Sequence, residues 1–290
     1  ELKMHLLPEK VVVQVFTMNE IPMIIMAAGI SSRMKDSSIP KEISQNLINQ
    51  SNHRVKGFIQ VGEGNEPIIF YIIKNCISAG IKNFYIILSN DSDQFQDYLK
   101  KLEIKLSIKI KFGFQDFYGK LKPMGTADAI FQLMNQHKEL RNKRFILCNS
   151  DNLYSSRAIK LLLAEHNYNS MIAYNFDCLK FSEERLATFS ILKFKGKFLD
   201  RIIEKPDMKI IKNYSKKFVS MNIFSLKGKL VYQYLKNCPI TIKRGEKEIA
   251  TALQNMILDN KKSMIVFHLC EHVPDLTFKE DIDKISKFLN

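Results

Sequence analysis

Short apolar runs alternate with helical patterns along the first half of the chain. Apolar runs of strand length occur at residues 23–26, 84–88, 108–114 and 144–148, and helical periodicity occurs at 67–80, 126–137 and 156–166. Repeated strand–helix alternation predicts a mainly parallel sheet with helices on both faces. Because ligands of such sheets bind beyond the carboxyl ends of the strands, side chains at strand ends are the first candidates for function.

The pattern changes in the second half. Strands are predicted at 170–176, 188–194, 198–203 and 263–269, and helices at 227–236, 246–259 and 278–289. The turn-sized gaps between the first three strands indicate an antiparallel excursion. The whole pattern predicts an α/β fold, Rossmann-like, with three α/β/α layers around a mainly parallel mixed sheet.

The domain organisation follows from this pattern. A chain of 290 residues can form one α/β domain, and we expect that domain over residues 21–290. Residues 1–20 are expected to be an N-terminal extension of unknown role. Residues 36–55 are polar and only weakly periodic, so they are expected to be an inserted loop.

The composition narrows the class of partner. Hydrophobic residues make up 46% and charged residues 26%, as in an ordinary globular protein. The net charge of +14 indicates an anionic partner, and residues 195–247 carry 14 Lys and Arg against 4 Asp and Glu. No apolar run reaches the about 20 residues that span a bilayer, and no basic module interleaved with aromatics is present. We therefore expect small phosphates rather than a membrane or nucleic acid.

The cysteines and histidines contribute little chemistry. All five cysteines stand singly, without a C-x-x-C pair, which favours free thiols in a reducing compartment and hence a cytoplasmic protein. His268 and His272 have a spacing that suits zinc on a helix, but residues 263–269 are predicted to form a strand and no third ligand is evident.

The first candidate site follows the first strand, in the segment M-I-I-M-A-A-G-I-S-S-R-M-K (residues 23–35). Small residues around Gly29 and Ser31 let backbone N–H groups approach an anion, and Arg33 can bridge phosphate oxygens. A tight turn with a solvated arginine is the alternative. The segment is neither a Walker A loop nor a dinucleotide fingerprint.

Three further segments contain candidate site residues. Gly125 allows close approach of a flat ligand, whereas Thr126 can cap the following helix. Asp151 ends a buried strand, where it can hold Mg²⁺ against phosphates or cap the next helix. Glu204 and Lys205 end another strand with an acid and a base side by side.

Together these segments resemble the sugar nucleotidyltransferase family, the nucleoside-diphosphate-sugar pyrophosphorylases, over residues 22–285. The motifs occur in the family's order: A-A-G-I-S-S-R-M at 27–34, K-G-F-I-Q-V-G at 56–62, G-T-A-D-A at 125–129, S-D at 150–151, E-K-P at 204–206 and V-S-M-N at 219–222. The resemblance implies the nucleotide-diphospho-sugar transferase type of fold, with the antiparallel excursion on the acceptor side. It also implies a Mg²⁺-dependent reaction in which a sugar-1-phosphate attacks the α-phosphorus of an NTP and releases pyrophosphate.

Two lysines are candidates for the position at which the family has a phosphate-binding lysine. Pro40-Lys41 reproduces its P-K dipeptide, whereas Lys56 begins a segment that matches the family's K-x-L-x-P-V-G register. We choose Lys56, which makes residues 36–55 an insertion. On this choice Lys56→Ala should abolish most turnover, and Lys41→Ala should have a mild effect.

The resemblance assigns the remaining roles. The expected catalytic residues are Arg33, Lys56, Asp151 and Lys205, and the expected substrate-binding residues are Ala28, Gly29, Ser31, Gly125, Thr126, Ala127, Glu204 and Asn222. Asp151 is the expected Mg²⁺ ligand, and Asp275 is the candidate for a second. The segment around Asp275 lacks the family's tryptophan and glycine, so a helix-capping acid remains an equal alternative there.

Several alternatives stay open on the sequence. The S-S-R-M form of the loop also resembles cytidylyltransferases that act on phosphocholine or polyol phosphates. A non-catalytic regulatory relative is the third possibility. The sequence determines neither the NTP, nor the phosphorylated acceptor, nor the oligomeric state.

Overall fold

The computed structural model describes residues 21–40, 43–164, 167–204, 217–242 and 244–290. Its strands, in chain order, are β1 (Met23–Met26), β2 (Gln60–Val61), β3 (Glu66–Pro67), β4 (Asn83–Leu88), β5 (Lys109–Phe114), β6 (Arg144–Asn149), β7 (Asn169–Asn175), β8 (Ser190–Lys195), β9 (Phe198–Ile203), β10 (Phe218–Ser220), β11 (Phe224–Lys227) and β12 (Met264–Leu269). Strands β2 and β3 form a small antiparallel pair, and the others form one sheet.

The main sheet has the order β10-β8-β9-β12-β7-β11-β6-β1-β4-β5. The pairs β5–β4, β4–β1 and β1–β6 are parallel. Strand β11 enters antiparallel between β6 and β7, and β8, β9 and β10 form the antiparallel excursion. The mixed α/β fold expected from the alternating pattern is therefore confirmed.

Helices cover both faces of this sheet. They are α1 (Ser32–Asp36), α2 (Gln45–His53), α3 (Ile68–Ser78), α4 (Asp93–Leu106), α5 (Thr126–Gln136), α6 (Ser156–Leu163), α7 (Glu183–Leu186), α8 (Gly228–Lys236), α9 (Ile249–Asp259) and α10 (Asp281–Leu289). Two separate apolar cores result, one packed under α3, α4 and α6 and the other under α5, α8 and α9. The three expected layers are present.

The segment at residues 36–55 is not simply a loop. Residues 45–53 form α2, so the expectation of an irregular insertion is wrong for half of this segment. Polar side chains dock the helix: Gln50 is 5% exposed, and its amide donates to Gln60 Oε1 at 2.5 Å. Ser51 is fully buried. Because the buried face is polar, a search for apolar periodicity does not detect this helix.

The cysteines also differ from expectation. Cys178 and Cys270 form a disulfide, so the expectation that all five are free thiols is wrong for these two. Cys76, Cys148 and Cys238 are free and buried. The cytoplasmic localisation stays a prediction, now without the support of an all-thiol chain.

Two further observations concern the periphery of the fold. His268 lies in β12, as predicted, and stacks on Phe218 with ring centroids 4.6 Å apart. Among the described residues, no helix has both the length and the apolar character that spanning a bilayer requires.

Candidate active site

A cleft of about 570 Å³ opens at the carboxyl ends of β1, β4, β5 and β6. Parallel strands place their carboxyl ends at one edge, which is where this fold type binds ligands. The predicted residues that line the cleft are Ala28, Gly29, Ser31, Arg33, Lys56, Gly125, Thr126 and Asp151. The structure thus gathers segments that lie up to about 120 positions apart in the sequence.

The loop after β1 forms one wall of the cleft. Ala27 still belongs to the sheet, because its N–H donates to Ile87 O at 2.8 Å. The loop then turns at Ser31, which has the left-handed φ of 59° and precedes α1. The Ser31 hydroxyl accepts a hydrogen bond from the N–H of Lys56 at 3.1 Å. This bond joins the loop that leads into α1, the helix of Arg33, to the segment that begins at Lys56.

Lys56 and Asp151 meet within the cleft. Lys56 Nζ lies 2.9 Å from Asp151 Oδ2, and the two side chains are 12% and 19% exposed. A partly buried charge pair at the mouth of a cleft interacts more strongly than one in open solvent. The helix after β6 is capped by Ser155, whose hydroxyl accepts from Ala158 N at 3.1 Å. Asp151 is therefore no helix cap and remains directed toward Lys56.

The segment at Gly125 is packed against the chain that leads into α9. Gly125 has a φ of +107°, and a Cβ there would lie 2.5 Å from Lys247 O. The same carbonyl accepts from Ala127 N at 2.9 Å, and the Thr126 hydroxyl accepts from Ile249 N at 2.9 Å. Thr126 thus positions α9 and does not cap α5, whose N-cap is Gly125.

Asp275 belongs to a buried ion-pair network outside the cleft lining. Its Oδ2 accepts from Arg185 at 2.8 Å and from the Thr277 hydroxyl at 2.8 Å, and its Oδ1 accepts from Asn152 at 3.1 Å. Arg185 also forms an ion pair with Asp281. Asp275 is 7% exposed and caps no helix.

The other predicted residues lie away from the cleft or outside the description. Ala127 is fully buried behind the cleft wall, and Glu204 is exposed at the end of β9. Asn222 has a φ of +56° in the turn between β10 and β11. Lys41 and Lys205 lie outside the described residues.

The structure adds cleft residues that the sequence analysis missed. These are Gln115, Lys122, Arg244, Glu246 and Glu248. Gln115 follows β5 directly, so the strand-end rule could have identified it. It is 3% exposed, and its amide donates to Gly125 O at 3.0 Å. The other four belong to loops, and no sequence signal distinguishes them from surface charges.

Two carboxylates are candidates for holding Mg²⁺, Asp151 and Asp275. Asp151 fits, because it places a hard carboxylate at the cleft wall beside the loop at residues 28–33. Asp275 does not fit, because both of its oxygens are engaged by Arg185, Thr277 and Asn152. Within the described ranges, no three His, Cys, Asp or Glu side chains are grouped to hold a metal ion.

Comparison with known proteins gives one family and one fold. The sequence model of the Nucleotidyl transferase family matches residues 45–270. None of the curated protein sequences is significantly similar to the chain.

Solved structures share the fold at low sequence identity. A UDP-glucose pyrophosphorylase complexed with UDP-glucose superposes with a TM-score of 0.70 at 14% identity, over 93% of this chain and 98% of that one. A putative glucose-1-phosphate thymidylyltransferase from Bacillus anthracis, in complex with a sucrose, gives 0.66 at 17% identity over 93% and 96%. The inositol-1-phosphate CTP transferase from T. maritima gives 0.65 at 14% identity over 92% and 94%.

The family match covers most of the chain, and the cleft lies where this fold type binds its ligands. The chain belongs to the nucleotidyl transferase family.

Proposed function

We propose that this nucleotidyltransferase joins an NTP to a sugar-1-phosphate, forming an NDP-sugar and releasing pyrophosphate. One observation carries the proposal: the cleft brings the loop at residues 28–33 together with Lys56 and Asp151. Small residues, two cations and one carboxylate at the carboxyl ends of parallel strands form a suitable environment for a triphosphate and its metal.

The triphosphate is proposed to lie against the loop after β1. Backbone N–H groups around Gly29 and Ser31 would donate to phosphate oxygens, and the exposed Arg33 side chain would bridge them. Lys56 would supply the second cation. Its pairing with Asp151 keeps the ammonium group in the cleft before the nucleotide arrives.

In the proposed reaction, an oxygen of the acceptor phosphate attacks the α-phosphorus, and a new P–O bond forms. The bond between the α-phosphorus and the bridging oxygen breaks, and that oxygen leaves with pyrophosphate. Arg33 and Lys56 would neutralise the charge that develops on the transferring and leaving groups, which is the main catalytic contribution in such transfers. Mg²⁺, when held by Asp151, would neutralise further phosphate charge.

The nucleoside is proposed to lie along Gly125 and Thr126. The positive φ of Gly125 and the hydrogen bond from Ala127 N to Lys247 O fix the backbone at this wall. Gln115 stands beside it and presents a polar side chain to the same region. These groups would contact base and ribose.

The acceptor side is the less defined half of the proposal. Glu204 and Asn222 would bind sugar hydroxyls, and Lys205 would neutralise the sugar phosphate. These assignments follow the family's motifs, E-K-P at 204–206 and V-S-M-N at 219–222. Glu204 follows β9 directly and is exposed, which leaves its carboxylate accessible to a ligand.

A cytidylyltransferase that acts on a non-sugar phosphate is the second candidate. Its support is the S-S-R-M loop together with the likeness in fold to an inositol-1-phosphate CTP transferase.

A substrate matrix separates the two candidates. ATP, CTP, GTP, UTP and dTTP are each combined with Mg²⁺ and with glucose-1-phosphate, phosphocholine or a polyol phosphate. Pyrophosphate is then measured, and the nucleotide product is identified by mass spectrometry. The proposal predicts an NDP-sugar from at least one pair. Product from CTP and a non-sugar phosphate alone would favour the second candidate, and no product from any pair would defeat both.

A further inference from the structure

Lys279 is a buried lysine with no place in the reaction described above. The residue is only 2% exposed. In the described part of the chain its Nζ meets two backbone carbonyls, Lys35 O at 2.8 Å and Ser37 O at 2.9 Å, rather than a carboxylate. Burying an ammonium group is costly unless its hydrogen bonds are made. A lysine at the surface would avoid this cost in free energy, so the burial of Lys279 needs a structural explanation.

Both carbonyls belong to the end of α1, the helix that carries Arg33. The backbone N–H of Lys279 also donates to the Ser37 hydroxyl at 3.1 Å, and that hydroxyl donates to Met34 O at 2.8 Å. A helix of five residues has few hydrogen bonds of its own and depends on such external contacts. Lys279 therefore supplies two of the hydrogen bonds that hold the end of α1 in place.

The segment of Lys279 is itself anchored beside the other half of the cleft. Leu276 N donates to Asp151 O at 2.8 Å, and Asp275 contacts Asn152. Asp281 accepts from the N–H of Phe278 at 2.7 Å, which fixes the turn that presents Lys279. Residues 275–281 thus form a strut between the end of β6, with Asp151, and the end of α1.

We propose that Lys279 is a positioning residue of the nucleotide site: its buried ammonium group fixes the end of α1 and thereby holds Arg33 and the loop before it over the triphosphate. The inference rests on the proposed function only in requiring that an NTP binds at this loop. Lys279 is not among the residues that line the cleft, so its effect passes through Arg33 and the loop. Loss of the ammonium group would leave two carbonyls without their donor and release α1 from the strut.

The test uses the full chain with four variants: Lys279→Met, Arg33→Met, the double variant and Lys287→Met. Lys287 is an exposed lysine on α10 and serves as the matched control. Hydrogen exchange is measured without ligand. The affinity for the tightest-binding NTP is measured by calorimetry, with Mg²⁺ and without acceptor. In Lys279→Met we expect exchange at residues 32–37 to rise about 10-fold or more, while that of β1 is unchanged. We expect the NTP affinity to fall about 10-fold.

The double variant distinguishes positioning from general destabilisation. If Lys279 acts through Arg33, Lys279→Met should weaken NTP binding far less in the Arg33→Met background. An equal loss in both backgrounds, unchanged exchange at α1, or unchanged NTP affinity would overturn the inference. Should Lys279→Met fail to fold, Ser37→Ala replaces it in the same cycle, with a smaller effect in the same direction.

The outcomes also separate this inference from the proposed function. An enzyme that releases pyrophosphate but has unchanged NTP affinity in Lys279→Met refutes the inference alone. A wild-type protein that binds NTP through a Lys279-dependent α1 but transfers nothing to any acceptor refutes the proposed function alone.

Discussion

At the scale of single residues, a side chain would have different effects at the two glycines of the cleft, Gly29 and Gly125. Gly29 has open space where a Cβ would stand, and its φ lies outside the left-handed region. Gly125 has the left-handed φ of +107° and no room for a Cβ beside Lys247. The first is free for a ligand to approach, and the second is required by the fold.

Gly29→Ala should therefore leave the protein folded and impair binding. We expect the free energy of unfolding to change by less than about 0.5 kcal/mol, because the new methyl group meets no protein atom. The affinity for the bound NTP should fall about 10-fold, because the methyl group occupies space at the triphosphate wall. Chemical denaturation and calorimetry measure the two effects. A large loss of stability, or full NTP affinity, would contradict this assignment.

Gly125→Ala, in contrast, should destabilise the fold. The Cβ would lie 2.5 Å from a backbone oxygen, and the left-handed φ adds strain, so we expect a loss of at least about 2 kcal/mol in unfolding free energy. Gly119→Ala is the matched control, since Gly119 has a φ of +71° with no atom within 4 Å of a Cβ. It should cost about 1–2 kcal/mol from backbone strain alone. Equal losses in the two variants would show that the contact with Lys247 is unimportant.

Short motifs indicate some single residues of the candidate site, and the roles of these residues stay predictions. Lys56 and Asp151 were chosen from separate motifs, and the structure places them 2.9 Å apart. For Asp275 the sequence leaves metal ligand and helix cap open; its carboxylate accepts hydrogen bonds from Arg185, Thr277 and Asn152 and caps no described helix, and the metal role stays a prediction. Its environment depends on Arg185, which lies 90 positions earlier, and no local pattern reveals such a partner.

At the scale of elements, the strands were easier to predict than some helices. Strand β6 is a continuous buried run, so its identity follows from a short stretch of sequence. Helix α2 is docked by the polar residues Gln50 and Ser51, and apolar periodicity could not find it. Helix α4 is absent from the elements expected above, although its buried residues Phe95, Leu99 and Leu102 follow the helical spacing.

The disulfide joins two chain segments that leave neighbouring strands. Cys178 follows β7 and Cys270 follows β12, at a sequence separation of 92. Closing a loop of this size stabilises a fold by up to about 4 kcal/mol through the unfolded state. We expect three titratable thiols in the denatured, unreduced protein, five after reduction, and a lower melting temperature for Cys178→Ser/Cys270→Ser. Five thiols before reduction would show that the bond does not form and would restore the all-thiol expectation.

His272, on the segment after the disulfide, should make stability depend on pH. Burial, followed by the charges of Lys180 and Arg185, lowers its pKa from 6.5 to about 4, although the Asp275 carboxylate acts in the opposite direction. Its Nδ1 accepts from the Lys180 N–H at 3.1 Å, which requires the neutral ring. As pH falls from 6.5 toward 4, the unfolded chain takes up the proton before the folded one does, so unfolding becomes easier.

His272→Asn keeps an acceptor near the Nδ1 position and does not titrate. We expect the stability of the wild type to fall more steeply than that of this variant in urea denaturations between pH 7 and pH 5. Parallel pH profiles would show that His272 is not held neutral.

At the scale of the whole molecule, the alternating pattern predicts the layers but not the strand order. Sequence periodicity reports which face of a strand is buried and says nothing about which strands pair across long separations. The antiparallel entry of β11 between β6 and β7 is such a non-local choice. The domain boundaries at residues 20 and 21 and the N-terminal extension stay predictions.

The net charge of +14 is only partly explained by the cleft. The cleft is lined by the cations Arg33, Lys56, Lys122 and Arg244 and by the acids Asp151, Glu246 and Glu248. Most of the excess lies in residues 195–247, part of which is outside the described ranges. The proposal therefore assigns phosphate binding to a few cations that line the cleft. It gives the remaining Lys and Arg side chains no role in the site.

The measurement that tests the central claim most directly is pyrophosphate release by the wild type, Lys56→Met and Lys41→Met with the best substrate pair. The account predicts that release requires both NTP and acceptor. We expect the rate to fall by about 100-fold or more in Lys56→Met, because a charge-neutralising group is lost from the transition state, and to change little in Lys41→Met. Melting temperatures should confirm that all three proteins are folded. Full activity of Lys56→Met, or loss of activity in Lys41→Met instead, would contradict the account.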